Sequence, residues 1–310
     1  MAKLARLNTW YDKAGVRTFD RLMVAEDEDI ESKKFFPDHI VPHLRHPLVA
    51  ALPHTPRRYL AAQHLYQWLH FTARFEIEVV LRTTRRIVDG VSGVELPRSA
   101  QRDAMKICVD EDYHALYSVD VADQVEERSG VPALPYDFKP FLDYLDGIGS
   151  ANPQYAKLVQ MLQVVVFETV ITSLLNDVPQ DPDLIAVVRE TVRDHATDEI
   201  YHRAYFSSLF RELWTQLSTT DRRVIAHLLP QVIVRSLQPA TRSARLALRE
   251  VGFTDGQVED VIADAYGPVP VMDGIRHAAQ PTISLFRRTG VFDVPGAEDA
   301  FHDAGFVTLV

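Results

Sequence analysis

Apolar residues in this chain recur at three- and four-residue intervals over long stretches, and no segment shows the two-residue alternation of a half-buried strand. The spacing predicts helices over 55–89, 98–129, 152–177 and 183–217, with further ones over 220–249, 255–265 and 270–288. Thr55 followed by Pro56 reads as an N-cap with proline at the first helical position. Gly90 and Gly93 close the first helix, Gly130 and Pro132 the second, and Pro179 with Pro182 the third. The third helix is apolar nearly all round, as a central element should be. Residues 131–151, rich in Pro and Gly, read as a crossover loop. Residues 1–54 read as an irregular polar segment, and its His39, His43, His46 and His54 are assigned no role. The tail 289–310 reads as loop with a short extended end at 306–310. Four long helices with a crossover between the second and third predict an all-α protein with a ferritin-like four-helix bundle core. The expected organisation is a single domain 1–310: the segment 1–54, the core 55–217, and additional C-terminal helices and tail at 218–310.

Polar residues interrupt the buried faces of these helices in a shared pattern. In the stretch 190–206, His195, Glu199 and His202 stand at i, i+4 and i+7, on the same side as the apolar Val192 and Phe206. On the second helix, Glu111 and His114 form an E-x-x-H pair, repeated by Glu199 and His202, and each pair follows an aspartate, Asp110 or Asp198. The face around Glu111 consists of the small or apolar Ala104, Ile107, Ala115, Ser118 and Ala122. On the third helix Glu168 is the only acidic residue in the interior, on a face with Met161, Val164, Thr172 and Leu175. The first helix offers Glu76 and Glu78. At about 100° per residue, Glu76 shares its side with Leu65, Leu69, Thr72, Val80, Thr83 and Ile87. Glu78 shares its side with Gln67, Phe71, Arg74, Arg82 and Arg85, so Glu76 faces the core.

Burying such groups without partners costs several kcal/mol, so they are either satisfied core residues or ligands. Four glutamates and three histidines on four core helices favour ligands: Glu76, Glu111, His114, Glu168, His195, Glu199 and His202. Four ionised carboxylates call for two divalent cations, and mixed imidazole–carboxylate ligation suits iron or manganese.

The rest of the composition narrows the field. A net charge of −10 makes nucleic acid and anionic membranes poor partners. No apolar run reaches about 18 residues, and the start lacks a signal-peptide core, so a cytoplasmic protein is expected. The single cysteine, Cys108, excludes an intrachain disulfide framework and a cysteine-ligated cluster, and reads as a small core hydrophobe.

The order Glu76, Glu111-x-x-His114, Glu168, then His195-x-x-x-Glu199-x-x-His202 resembles the p-aminobenzoate N-oxygenase family of non-haem di-iron oxygenases, over roughly residues 55–210. The resemblance implies an O2-dependent monooxygenase of small-molecule biosynthesis, with two iron ions held by those seven residues. An oxygen atom would pass to an amine nitrogen, giving hydroxylamine, nitroso or nitro products. A di-iron hydroxylase or desaturase acting at carbon and a ferritin-like ferroxidase are the alternatives. The chain has no dinucleotide fingerprint, so electrons are expected from a separate reductase, or peroxide is the oxidant. The other expected partner is a small-molecule amine, with a homodimer as one option for assembly. Tyr113 and Tyr201 read as packing residues. Asp110 and Asp198 either orient ligand histidines or are exposed. Arg276 and His277 read as exposed, with Arg276 the candidate to hold a substrate carboxylate.

Overall fold

The computed structural model describes residues 7–175 and 178–306, with the side chains of 172–174 outside that description. The expected extended end beyond Phe306 therefore lies outside the described residues, as does the side chain of Thr172 on the Glu168 face. The architecture is all-α. Among the described residues the one β-type pairing is an isolated bridge between Lys34 and Leu184.

Short helical turns precede α1 (His54–Phe75), a π turn (Glu76–Val80) and α2 (Leu81–Val88). Then come α3 (Arg98–Ser129), α4 (Lys139–Ala151), α5 (Ala156–Leu175) and α6 (Ala186–Gln216). The C-terminal part holds α7 (Thr219–Leu237), α8 (Arg242–Glu250), α9 (Asp255–Tyr266), α10 (Pro268–Ala278), α11 (Gln280–Arg288) and α12 (Ala297–Asp303). Helices α1 and α2 pack on α3, α5 packs on α6, and α3 meets α6. This is the four-helix bundle with its crossover between the second and third long helices. Helix α5 is central: Val159, Leu162, Val164, Val165, Val166 and Val170 are buried, and α4, α6, α7, α10 and α11 all pack against it.

The structure departs from the polarity pattern where proline and glycine were read as breakers. The crossover contains the helix α4. Pro140 falls in its first turn, where proline's missing N–H is harmless. Phe141, Leu145 and Ile148 recur at helical spacing and are buried. Gly149 is there for proximity, since a Cβ would sit 3.2 Å from the Ala156 Cα. The segment 220–249 is two helices because Gln238, Pro239 and Ala240 turn the chain between α7 and α8. The tail forms α12, whose Phe301 is buried among Phe286, Phe292 and Phe306. Helix α1 starts at His54 and has no side-chain cap. His43 is buried, with Nδ1 2.7 Å from the Tyr266 hydroxyl, which ties the N-terminal segment to α9.

Candidate metal centre

Glu111 and His114 project from α3, and His195, Glu199 and His202 from α6, all buried. The Nδ1 of His114 lies 2.9 Å from Glu111 Oε2 and 3.6 Å from Glu199 Oε1. The Nδ1 of His202 lies 3.0 Å from Glu111 Oε1 and 3.3 Å from Glu199 Oε1. These four residues each offer one ligand atom within 4.8 Å of the others, a spacing that could hold a metal ion. His195 joins them through Nε2, 3.1 Å from Glu199 Oε1 and 3.8 Å from Glu76 Oε1. Glu168, on α5, is buried and within electrostatic reach of Glu199, Glu111, His202 and Glu76. All seven residues singled out in the sequence therefore share one buried cluster.

Glu76 opens the π turn, where the backbone widens by one residue, a feature often found at functional sites. It is buried, whereas Glu78 is half-exposed and paired with Arg74. The apolar residues grouped with Glu76 (Leu65, Leu69, Val80 and Ile87) are buried too.

The charges divide within the cluster. Burial, then repulsion from Glu111 and Glu199, pushes the Glu76 carboxyl well above its usual range. Burial, then Glu199 and Glu111, does the same to Glu168. Burial also opposes ionisation of Glu111 and Glu199, but the facing His202 outweighs it and both are held low. Burial disfavours charge on His114 and His202 as well, yet the carboxylates around them raise both well above an ordinary histidine. His195 is lowered by burial and by His114. Without metal, then, two imidazoles and two carboxyls are shifted toward their protonated forms.

Protonation does not satisfy the cluster. Glu168 Oε2, Glu199 Oε2 and His195 Nδ1 are buried without a hydrogen-bond partner, while His202 Nδ1 and Glu111 Oε1 have only each other, as an ion pair at 3.0 Å. Each such orphan costs about 1–3 kcal/mol. A cluster of unsatisfied hard and borderline donors fits divalent iron or manganese.

The two aspartates hold the imidazoles crosswise. Asp198 of α6 lies 3.3 Å from Nε2 of His114 on α3, and Asp110 of α3 lies 3.1 Å from Nε2 of His202 on α6. Each aspartate thereby leaves Nδ1 directed at the carboxylates. The N-terminal segment braces both. The Trp10 indole donates to Asp110 at 2.8 Å, and the Gly15 amide donates to Asp198 at 3.1 Å. A Cβ at Gly15 would sit 2.8 Å from Asp198 Oδ2, so only glycine allows this approach. Nothing in the sequence marked Trp10 or Gly15, because they act on residues 100 and 183 positions away. Tyr117 was also missed, although it follows His114 by one turn. Its ring lies 5.4 Å from His114 and 6.0 Å from His195, and its buried hydroxyl is unpartnered. Cys108 is half-buried, and burial pushes its thiol up to about 12, as befits a packing residue.

A cavity of about 490 Å³ reaches Glu76 and His195. Phe71, Phe75, Phe141 and Phe167 line it, with the Phe75 and Phe167 ring centroids 4.1 Å apart. Phe75 and Phe167 immediately precede Glu76 and Glu168. The C-terminal part supplies Ser236 and Leu237 from α7, Tyr266 from α9, and Val271 and Ile275 from α10. Arg276 is not in this wall: its guanidinium is taken up by the Gly305 carbonyl at 2.7 Å and by Asp273. The expectation that Arg276 holds a substrate carboxylate is thus corrected.

A helical bundle with a buried carboxylate–imidazole cluster that could hold a metal ion, beside an aromatic cavity, defines a candidate metal-binding protein rather than a purely structural bundle. The chain belongs to the p-aminobenzoate N-oxygenase AurF family, whose model matches residues 22–290. No curated protein matches it. The family match extends well beyond the stretch that carried the resemblance in sequence, taking in most of the N-terminal segment and the helices through α11. Among the described residues no helix is long and apolar enough to cross a membrane.

Proposed function

We propose that this protein is a non-haem di-iron monooxygenase that N-oxygenates a small aromatic amine. The observation that carries the reading is the set of orphaned buried ligand atoms at the inner end of an aromatic cavity. Glu76, Glu111, His114, Glu168, His195, Glu199 and His202 would hold two iron ions, with manganese the second candidate. Bound there, the metals would supply O2 reduction. In the net first step O2, two electrons and two protons convert R–NH2 to R–NHOH and one water. The electrons are proposed to come from a separate reductase, with peroxide as the alternative oxidant.

The chain's own residues have three tasks. Asp110 and Asp198 fix the tautomers of His202 and His114, so that each presents Nδ1 inward. Phe71, Phe75, Phe141 and Phe167 stack a ring and exclude water beside Glu76. The C-terminal helices complete the wall, which an iron-storage bundle would not need. This favours an organic substrate over a ferroxidase role.

Protein loaded anaerobically with Fe(II), given a reductant and O2, is the test. Arylamines should yield hydroxylamine, nitroso or nitro products by mass spectrometry, and Glu168→Ala should abolish them. Oxidation of hydrocarbon substrates alone would replace this reading with hydroxylation at carbon. Accumulation of ferric oxide without organic product would replace it with iron storage.

A further inference from the structure

The cavity wall carries an unusual charge balance. Among the described residues lining it there is no lysine or arginine. Its ionisable members are Glu76 and His195 at the metal end, Tyr266, and His64, which burial and then His43 push down to about 3 and so leave uncharged. The Tyr266 hydroxyl is already engaged with His43. Four ionised glutamates would cancel two divalent ions, so the centre offers no net positive charge either. An anionic substituent entering this wall would be desolvated without a partner. Away from His195 at the metal end, the described wall residues include one unsatisfied neutral group. Ser236, near the end of α7, is only 3% exposed, and its Oγ is buried without a hydrogen-bond partner.

We propose that the substrate is an aromatic amine with no anionic group, its ring seated on Phe71 and Phe75 and a neutral polar substituent bonded to the Ser236 hydroxyl. This rests on the reading of the cavity as the amine site. It assigns Ser236 as a specificity residue and separates this chain from any enzyme that takes a carboxylated arylamine. A buried hydroxyl that has lost water and gained no partner discriminates well, because a ligand lacking the matching group leaves it unpaired.

The test is equilibrium binding, measured by calorimetry on the metal-loaded protein, of 4-aminobenzamide, 4-aminobenzoate and 4-methylaniline. The benzamide should bind at least tenfold more tightly than the benzoate, and more tightly than methylaniline. Ser236→Ala should erase the advantage of benzamide over methylaniline while leaving methylaniline unchanged. Gln67→Arg, at a half-exposed lining position, should raise benzoate affinity and leave methylaniline alone. Equal or tighter binding of the benzoate by the wild-type protein overturns the inference, as does failure of all three to bind. Retention of the benzamide preference in Ser236→Ala overturns the assignment of Ser236. Turnover is followed separately: a benzamide that binds as expected but is never N-oxygenated overturns the proposed reaction and leaves the binding inference standing.

Discussion

Glu76 and Glu78 are two residues apart and chemically identical, yet burial gives them opposite roles. Glu78 sits half-exposed beside Arg74, a pair worth no more than about 0.5 kcal/mol. Glu78→Gln should therefore leave metal content unchanged, whereas Glu76→Gln should remove close to one metal ion per chain; elemental analysis of the two purified variants decides it. The reverse result would place the helical phase two residues out. Gly15 gives a second test at this scale. Its amide holds Asp198, and an added methyl would collide with that carboxylate and with the Phe19 ring. Gly15→Ala is expected to weaken metal binding by about 10–100-fold, the usual effect of losing an outer hydrogen bond to a ligand histidine. Competition with a chelator measures it, and unaltered affinity would deny the N-terminal brace any part in the site.

The element that sets the first helix apart is the π turn at Glu76–Val80. One extra residue in a helical turn rotates everything beyond it by about 100° relative to an α-helix. Leu65, Leu69 and Thr72 before it and Thr83, Thr84 and Ile87 after it are all buried. Deleting Ile77, which is 44% exposed, would restore the α repeat, leave the flanking helices in their present orientation and remove only the widening that presents Glu76. The expected outcome is a protein with near-native helix content by circular dichroism but defective metal binding. Full metal occupancy in the deletion variant would mean the π turn is incidental.

The whole molecule couples metal, protons and stability. Metal ligation needs Nδ1 of His114 and His202 free and the Glu76 and Glu168 carboxyls ionised, but the metal-free surroundings shift all four toward protonation. Metal binding must expel protons, so apparent affinity should rise with pH by about tenfold per unit for each proton displaced. Titration of Fe(II) or Mn(II) in weakly buffered solution, with proton release recorded, tests this; pH-independent affinity would contradict it. The sign for the metal-free fold runs the other way. His114 and His202 have folded values above their unfolded ones, so their stabilisation is present below the unfolded histidine value and lost as pH rises through the folded values. The same direction holds for Glu76 and Glu168. Metal-free protein should therefore melt at a progressively lower temperature above neutral pH, and metal should restore it.

The sequence by itself determined the helices and the chemistry they carry. Helical period and ligand type are local properties: Glu111 and His114, or His195, Glu199 and His202, share a face whatever surrounds them. A lone Glu168 in an apolar helix, and Glu76 rather than Glu78, followed from the same periodicity together with the cost of burying charge. Breaker residues misled where context overrode them, as at Pro140 and Gly149, because a proline in a first turn and a glycine at a close helix contact both belong to helices. Only the tertiary structure decided what meets across the chain. The crosswise pairing of Asp110 with His202 and Asp198 with His114, the bracing by Trp10 and Gly15, and the wall closed by α7, α9 and α10 depend on contacts between segments far apart in sequence. No periodicity within one helix encodes them. The fate of Arg276 was decided in the same way: its residue type suited a carboxylate, and its position on α10 gave it to Gly305 and Asp273 instead.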